Sequence, residues 1–193
     1  MLSEYLTGQD FRATIYKRGE VIYHPGQHPR YVYLIKSGEV RMVTVNNDNK
    51  EFIQGVFKAK QYFGEPALLL QRPYLAYTIA SKDTELILID EPRFLQILDE
   101  NRAFSMELIK NLSNRLFYKS MMLEELGNEQ AEHRLLTLIN YLSRDLEKGM
   151  SLNVTRQALA DRSGLRVETV IRTIKKLNDA GKIKLIKGKV VKL

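Results

Sequence analysis

The chain has no cysteine. Disulfides, thiolate zinc sites, iron–sulfur clusters and cysteine nucleophiles are therefore excluded. Histidine is scarce: His24, His28 and His133 are the only three in 193 residues. His24 and His28 flank Pro25-Gly26, a turn dipeptide, so they lack the spacing of a helical metal pair, and surface or packing roles are expected for all three. No Ser-His-Asp set, phosphate loop or zinc motif occurs. Glu124 and Glu125 fall within a helical pattern, where they read as solvated or interhelical partners rather than as an acid–base pair. An enzyme is not expected. No apolar run approaches the roughly 18 to 20 residues needed to span a bilayer. The N-terminal stretch MLSEYLTGQDF lacks the basic-then-apolar order of a secretory signal, so a cytoplasmic address and no membrane association are expected.

What is present is ordinary for a globular protein: hydrophobic residues make up 44% and charged residues 27%. The charge, however, is unevenly placed. Fourteen of the thirty Lys/Arg and only six of the twenty-three Asp/Glu lie from Ala131 to Leu193, which leaves sixteen basic against seventeen acidic residues elsewhere. A basic C-terminal third on a nearly neutral body points to a polyanion, either nucleic acid or an anionic membrane surface, unless it is simply a solvated lysine-rich tail.

From about Ala13 to Asp90 short apolar runs alternate with turn residues. ATIY precedes Arg18-Gly19, VIYH precedes Pro25-Gly26, YVYLI precedes Ser37-Gly38, and EVRMVTV precedes Asn46-Asn47-Asp48-Asn49; EFIQGVF, YLAYTIA and TELILID follow. This spacing predicts an antiparallel barrel or jelly roll. Pro92 can open a helix, and from Ala103 to Leu126 the helical pattern is unbroken. Ile109, Leu112, Leu116, Leu123 and Leu126 follow a seven-residue repeat, interrupted at Lys119. Phe104, Leu108, Phe117 and Met121 form a second apolar stripe. One broad core face would account for both, but a helix this long is hard to cover in so small a chain, which favours a dimer seam along the first stripe. Gly127-Asn128 ends the pattern, and a further helix is expected from about Gln130 to Leu146.

The segment TRQALADRSGLRVETVIRTIKKLNDAG has the marks of a helix-turn-helix. Thr155 suits a helix N-cap. Ala160 is small where two helices must cross, Gly164 supplies the tight turn, and Val170 returns an apolar side chain to the shared core. The second helix, about Val167 to Asp179, carries Val170, Ile174 and Leu177 on one side and Glu168, Arg172 and Lys175 on the other. KIKLI and KVVKL, joined across Lys187-Gly188, read as a hairpin wing. A helix of this kind fits the DNA major groove, where arginine can donate twice to guanine and glutamate can accept from a cytosine amine. Thr155, Arg156, Arg166 and wing lysines such as Lys187 are placed to grip phosphates, which position the protein without specifying sequence.

With these segments in place, the chain resembles the Crp–Fnr bacterial transcription regulators over nearly its whole length. FGEPAL is similar to the signature of their cyclic-nucleotide-binding β-roll, and TRQALADRSGLRVETVIR to their DNA-binding motif. The resemblance implies an α+β protein with an N-terminal antiparallel β-roll or jelly roll over residues 1–101, a dimerisation helix over 102–127 and a C-terminal winged helix-turn-helix over 128–193. It also implies a homodimer on a two-fold symmetric promoter site that recruits or blocks RNA polymerase. Val167, Glu168, Thr169 and Arg172 then fall at the base-reading end of the second motif helix. Val167 before Glu168 is the Fnr-like arrangement and favours a TTGA-like half-site, whereas Ile171 departs from both main branches.

In cyclic-nucleotide-binding relatives the loop glutamate takes the ribose hydroxyl and an arginine pairs with the cyclic phosphate. Here Gly64 and Glu65 match, but Ala76 and Ala80 set a register that puts Tyr74 at the arginine, with Leu75 beside it. Arg72 is two residues early and is expected on the other face of a strand. On the long helix Lys119 and Ser120 fall where the catabolite activator places a hydroxyl pair, and only Ser120 matches. Tyrosine is neutral and arginine is a charged, two-pronged donor. No conventional cyclic AMP response is therefore expected, and no cofactor is implied, although some relatives sense gases through haem. Another small effector, a vestigial pocket and control through protein abundance stay open. A β-roll acting on a protein partner is the alternative from a different functional class.

Overall fold

A computed structural model describes residues 11–46, 51–127 and 130–193. The expected turn Asn47-Asp48-Asn49, the N-terminal stretch before Phe11 and Asn128 lie outside these residues, as does the side chain of Leu126. The chain divides into two compact units, Met1–Ser113 and Asn114–Leu193. Their boundary falls within one long helix rather than at either of its ends.

In the first unit eight strands follow one another: β1 (Arg12–Tyr16), β2 (Val21–Tyr23), β3 (Tyr31–Ser37), β4 (Glu39–Val45), β5 (Glu51–Lys58), β6 (Tyr62–Phe63), β7 (Tyr77–Ala80) and β8 (Thr84–Asp90), with the short helix α1 (Glu65–Leu70) between β6 and β7. They form two four-stranded antiparallel sheets, ordered β1-β8-β3-β6 and β2-β7-β4-β5. Successive side chains of a strand point to opposite faces, and β3 and β8 are apolar on both. Tyr33, Ile35, Leu86 and Leu88 point into a core shared with Ile22, Tyr23, Val40, Phe57, Phe63 and Tyr74. Val32, Leu34, Ile87 and Ile89 point the other way, onto Phe94, Ile97, Phe104 and Leu108. This explains why YVYLI and LILI are continuous apolar runs: each strand is buried on two faces. The edge strand β1 stays largely exposed.

The second face of that sheet is covered by α2 (Glu91–Glu100) and the start of α3 (Arg102–Gly127). Asp90 caps α2, its Oδ1 accepting from the Arg93 amide at 3.0 Å, and Pro92 sits in the first turn as expected. Asn101 breaks the chain between the helices and caps the next, accepting from the Phe104 amide at 2.9 Å. Gly38 permits the tightest approach in this unit. It has φ +95°, and a Cβ there would lie 2.4 Å from the Asp83 carbonyl oxygen.

The second unit contains the remainder of α3, α4 (Ala131–Ser143), α5 (Arg156–Ser163), α6 (Val167–Asp179) and the antiparallel pair β9 (Lys184–Ile186) and β10 (Lys189–Val191). Its core joins Met122 of α3 to Leu135, Leu138 and Ile139 of α4, Leu159 and Ala160 of α5, Val170, Ile174 and Leu177 of α6, and Ile183 and Val190 at the wing. The fold is thus α+β. Among the described residues no helix is long and apolar enough to cross a membrane.

Candidate nucleic-acid interface and effector loop

The helix-turn-helix of the second unit consists of α5, capped at both ends, and α6, which has no side-chain N-cap. Thr155 caps α5, its Oγ1 accepting from the Ala158 amide at 3.0 Å. Gly164 ends α5 with φ 68°, and its amide returns to the Ala160 carbonyl. The chain can then turn at once into α6, and Ala160 and Val170 meet in the core as their spacing predicts. Arg166 precedes α6 in an extended conformation and is exposed. On α6 the buried set is Val170, Thr173, Ile174 and Leu177, while Glu168, Ile171, Arg172 and Lys175 form the exposed face. Val167 is half-buried against the core and Thr169 is half-buried as well, so neither matches the exposure of Glu168 and Arg172.

The wing turns through Lys187 (φ 47°) and Gly188 (φ 75°). Two consecutive residues with positive φ are the pattern of the tight hairpin turn that matches strand twist. Lys184, Lys187 and Lys189 are exposed on it. The cations of this unit are not equivalent. The Arg156 guanidinium donates to the Gly188 carbonyl at 2.7 Å, tying α5 to the wing turn. Partial burial pushes its ionisation below the ordinary arginine value. Lys176 and Lys182 both reach Glu132 of α4, at 2.7 and 3.1 Å, and together hold its carboxyl below the usual range. Arg166, Arg172, Lys175, Lys184, Lys187 and Lys189 are the exposed cations of α6 and the wing outside these contacts, and Glu168 is an acidic residue on the exposed side of α6.

Sequence reasoning leaves the role of Glu125 open, and the structure decides it. Glu125 is buried near the end of α3. Its Oε2 lies 2.7 Å from His133 Nδ1, and its Oε1 accepts from Thr137 at 3.0 Å, so it is an interhelical partner between α3 and α4. Its spacing to His133 crosses a helix break, and no periodicity could have flagged it. His24 and His28 are exposed.

The long helix presents a corrected stripe. Ile109, Leu116 and Leu123 are exposed at spacings of seven, Leu116 at 67%. Phe117, expected on the other stripe with Phe104 and Leu108, is instead 69% exposed beside Leu116, whereas Phe104 and Leu108 are buried. A residue one position on is turned by only about 100° on a helix, so the exposed stripe takes in both. Leu112 is half-buried against the first unit's core.

The loop from α1 to β7 departs most from expectation. Gly64 has φ 93°, and a Cβ there would sit 3.1 Å from the Tyr31 carbonyl oxygen and 3.1 Å from the Tyr33 ring. Glu65 begins α1 and is buried. Arg72 is not on a strand. Its amide donates to Ala67 as α1 ends at Gln71, and its side chain is exposed in the turn. Tyr74 also precedes β7, yet it is buried. Its backbone exchanges hydrogen bonds with the turn after β2, as donor to Gln27 at 3.0 Å and acceptor from Gly26 at 2.8 Å. Its ring stacks on Tyr23 at 3.5 Å between centroids and 9° between planes. Leu75 beside it is 87% exposed. Lys119 and Ser120 are exposed on α3, within the second unit.

The first-unit residues do not fit a cyclic phosphate. The position where the resemblance puts an arginine holds a ring committed to the core, Tyr74, and Arg72 sits in the exposed turn. The Tyr74 hydroxyl is buried without a hydrogen bond; the Tyr33 hydroxyl is near enough to perturb it but falls short of bonding geometry. Burial pushes Tyr74 ionisation far up and that of Tyr33 up to about 12. Two outcomes follow for chemical denaturation of the intact chain. Tyr74→Arg should lose about 3 kcal/mol or more, because it buries an unpaired charge. Tyr74→Phe should be as stable as the wild type or more stable by about 1 kcal/mol, because it removes an unsatisfied hydroxyl. A Tyr74→Arg chain as stable as wild type would mean that this position faces solvent.

Comparison with known proteins gives a consistent result. Residues 13–101 match the cyclic nucleotide-binding domain family and residues 133–193 the Crp-like helix-turn-helix domain family. The chain is 27% identical over 181 residues to the cyclic AMP receptor protein of Thermus thermophilus, covering 93% of this chain and 83% of that protein. It is 26% identical over 183 residues to the global nitrogen regulator of a Nostoc species, covering 91% and 82%. A structure of a CooA mutant from Carboxydothermus hydrogenoformans superposes with TM-score 0.81 at 23% identity, covering 98% of this chain and 89% of that one.

Proposed function

We propose that the chain is a transcription regulator of the Crp–Fnr type, with the Crp-like helix-turn-helix as its DNA-binding domain, and that it acts as a cytoplasmic homodimer that binds a two-fold symmetric promoter site and regulates RNA polymerase there, without a conventional cyclic AMP response. The observation that carries the DNA reading is the exposed face of α6. Glu168 and Arg172 lie one turn apart on it, outside the buried set, with Lys175 a turn further on. Arginine is the commonest specific reader of guanine in the major groove, and glutamate can accept from the cytosine amine. Arg166, Lys184, Lys187 and Lys189 then meet phosphates, while Arg156 braces the wing through the Gly188 carbonyl.

The dimer reading rests on the exposed stripe Ile109, Leu116, Phe117 and Leu123 along one helix. Spacings of seven suit two helices wound together, and a two-fold protein axis requires a two-fold DNA site. In this reading the β-roll over 1–101 is the sensor, 102–127 the dimerisation helix and 128–193 the DNA-binding domain.

Selection from random duplexes tests the function directly. One enriched palindrome with a TTGA-like half-site is expected. Absence of duplex affinity would favour a β-roll acting on a protein partner, and affinity without enrichment would favour non-specific binding. Calorimetry tests the effector reading: cyclic AMP should give no binding at micromolar concentration and no change in DNA affinity, because a desolvated anion without a cationic partner is costly. Micromolar binding that tightens the DNA complex would refute it.

A further inference from the structure

The exposed face of α6 holds one residue that neither helix stability nor core packing accounts for. Ile171 is 51% exposed, three positions after Glu168, one before Arg172 and four before Lys175. A single exposed aliphatic side chain is ordinary on most surfaces. This one stands in the middle of a charged face, on a helix whose buried stripe is already filled by Val170, Thr173, Ile174 and Leu177. A β-branched residue is also a weaker helix former than the lysine, arginine or glutamine that an exposed position would otherwise hold. The fold would therefore be served at least as well by a polar side chain.

Resting on the reading of α6 as the helix that enters the major groove, we propose that Ile171 is a specificity-determining residue whose branched side chain packs on the C5-methyl of a thymine in each half-site. In the major groove thymine alone among the four bases presents a methyl group; the other edges offer hydrogen-bond donors and acceptors. Isoleucine can neither give nor take a hydrogen bond. Over adenine, guanine or cytosine it would strip water from a polar edge and return nothing, whereas over thymine it gains apolar contact. Helical side chains lean toward the N-terminus, so that of Ile171 covers the surface toward Glu168. Residues three or four apart on a helix lie about 5–6 Å from one another, and stacked bases about 3.4 Å, so the thymine falls within about two base pairs of the guanine contacted by Arg172.

The test uses the intact chain and the duplex recovered by selection. Each thymine of the half-site is replaced in turn by deoxyuridine, in both halves, which removes the methyl and leaves base pairing unchanged. Binding is followed by fluorescence anisotropy. For the wild type one thymine position should be sensitive, with a loss of about fourfold per half-site and about fifteenfold for the pair. Ile171→Ser should bind the unmodified duplex more weakly by a similar factor and be indifferent to deoxyuridine at that position, and Ile171→Val should keep most of the sensitivity. Because Ile171 is outside the core, both variants should unfold at the wild-type temperature. The inference is overturned if no thymine is enriched near the guanine read by Arg172, if no position responds to loss of the methyl, or if the response persists unchanged in Ile171→Ser. Arg172→Ala on the same duplexes separates the two levels. If it abolishes discrimination at its guanine while deoxyuridine is silent, only the role of Ile171 falls. If it leaves discrimination intact, the placement of α6 in the groove falls with it.

Discussion

Replacing Arg172 by alanine is expected to weaken binding to the selected duplex by about 1 to 3 kcal/mol per half-site, roughly 2 to 6 kcal/mol over the symmetric site, and to relax preference at the base pair it reads. The size follows from the geometry of the donor. A guanidinium gives two parallel hydrogen bonds that only guanine accepts in the major groove, and alanine leaves that edge both dehydrated and unpaired. Arg172 is exposed on α6 and outside the buried set, so the loss should appear in binding with little effect on folding. Lys187, on the wing turn at φ 47°, should behave differently. Its replacement by alanine should weaken all duplexes alike and lower the salt slope by about one for each phosphate that a subunit no longer neutralises. The measurement is affinity for the selected site, its single-base variants and random DNA across a salt series. Full discrimination in Arg172→Ala together with impaired discrimination in Lys187→Ala would place the wing, not α6, in the groove.

Replacing Leu116 by glutamate should dissociate the proposed dimer. Leu116 lies midway along the exposed stripe, seven residues from Ile109 and seven from Leu123, with Phe117 beside it. In a symmetric pairing the substitution enters twice, so two like charges meet in a desolvated seam, at a cost of several kcal/mol. The β-roll and the helix-turn-helix unit should stay folded, because their cores are built from Phe104 and Leu108 on one side and Met122 on the other, none of them on this stripe. Sedimentation equilibrium should find a dimer for the wild type and a monomer for Leu116→Glu at micromolar concentration. DNA affinity should fall toward that of a single half-site. A wild-type monomer under these conditions would remove the basis for a symmetric site.

How far the molecule is legible in its sequence depends on whether a residue's environment is local. Every extended segment read from apolar runs between turns contains a strand, although YLAYTIA is a strand only from Tyr77, KIKLI only from Lys184 and KVVKL only to Val191. The helix start at Pro92, the cap at Thr155 and the turn at Gly164 follow from neighbours within one helical turn, and each is in place. Periodicity puts Phe117 on the wrong stripe because a helix of period 3.6 drifts against a seven-residue repeat, and adjacent stripes merge over this length. The helix-turn-helix is legible for the same local reason: Ala160, Gly164 and Val170 have to satisfy one another across a single tight turn.

The α+β class, the order of most elements and the helix-turn-helix with its wing are legible in the amino-acid sequence alone. Those features are set by periodicity, turn chemistry and residue type, all of which act between near neighbours. Packing between elements decides where individual side chains point and which charges are held in internal ion pairs or hydrogen bonds. Tyr74 faces the core because its backbone pairs with Gly26 and Gln27 and its ring finds Tyr23. Arg156 is drawn to the wing by the Gly188 carbonyl, Lys176 and Lys182 are occupied by Glu132, and Glu125 is buried between α3 and α4. Each of these joins one segment to another and forms when the core brings them together, and the spacing of residues along one segment carries no information about the other.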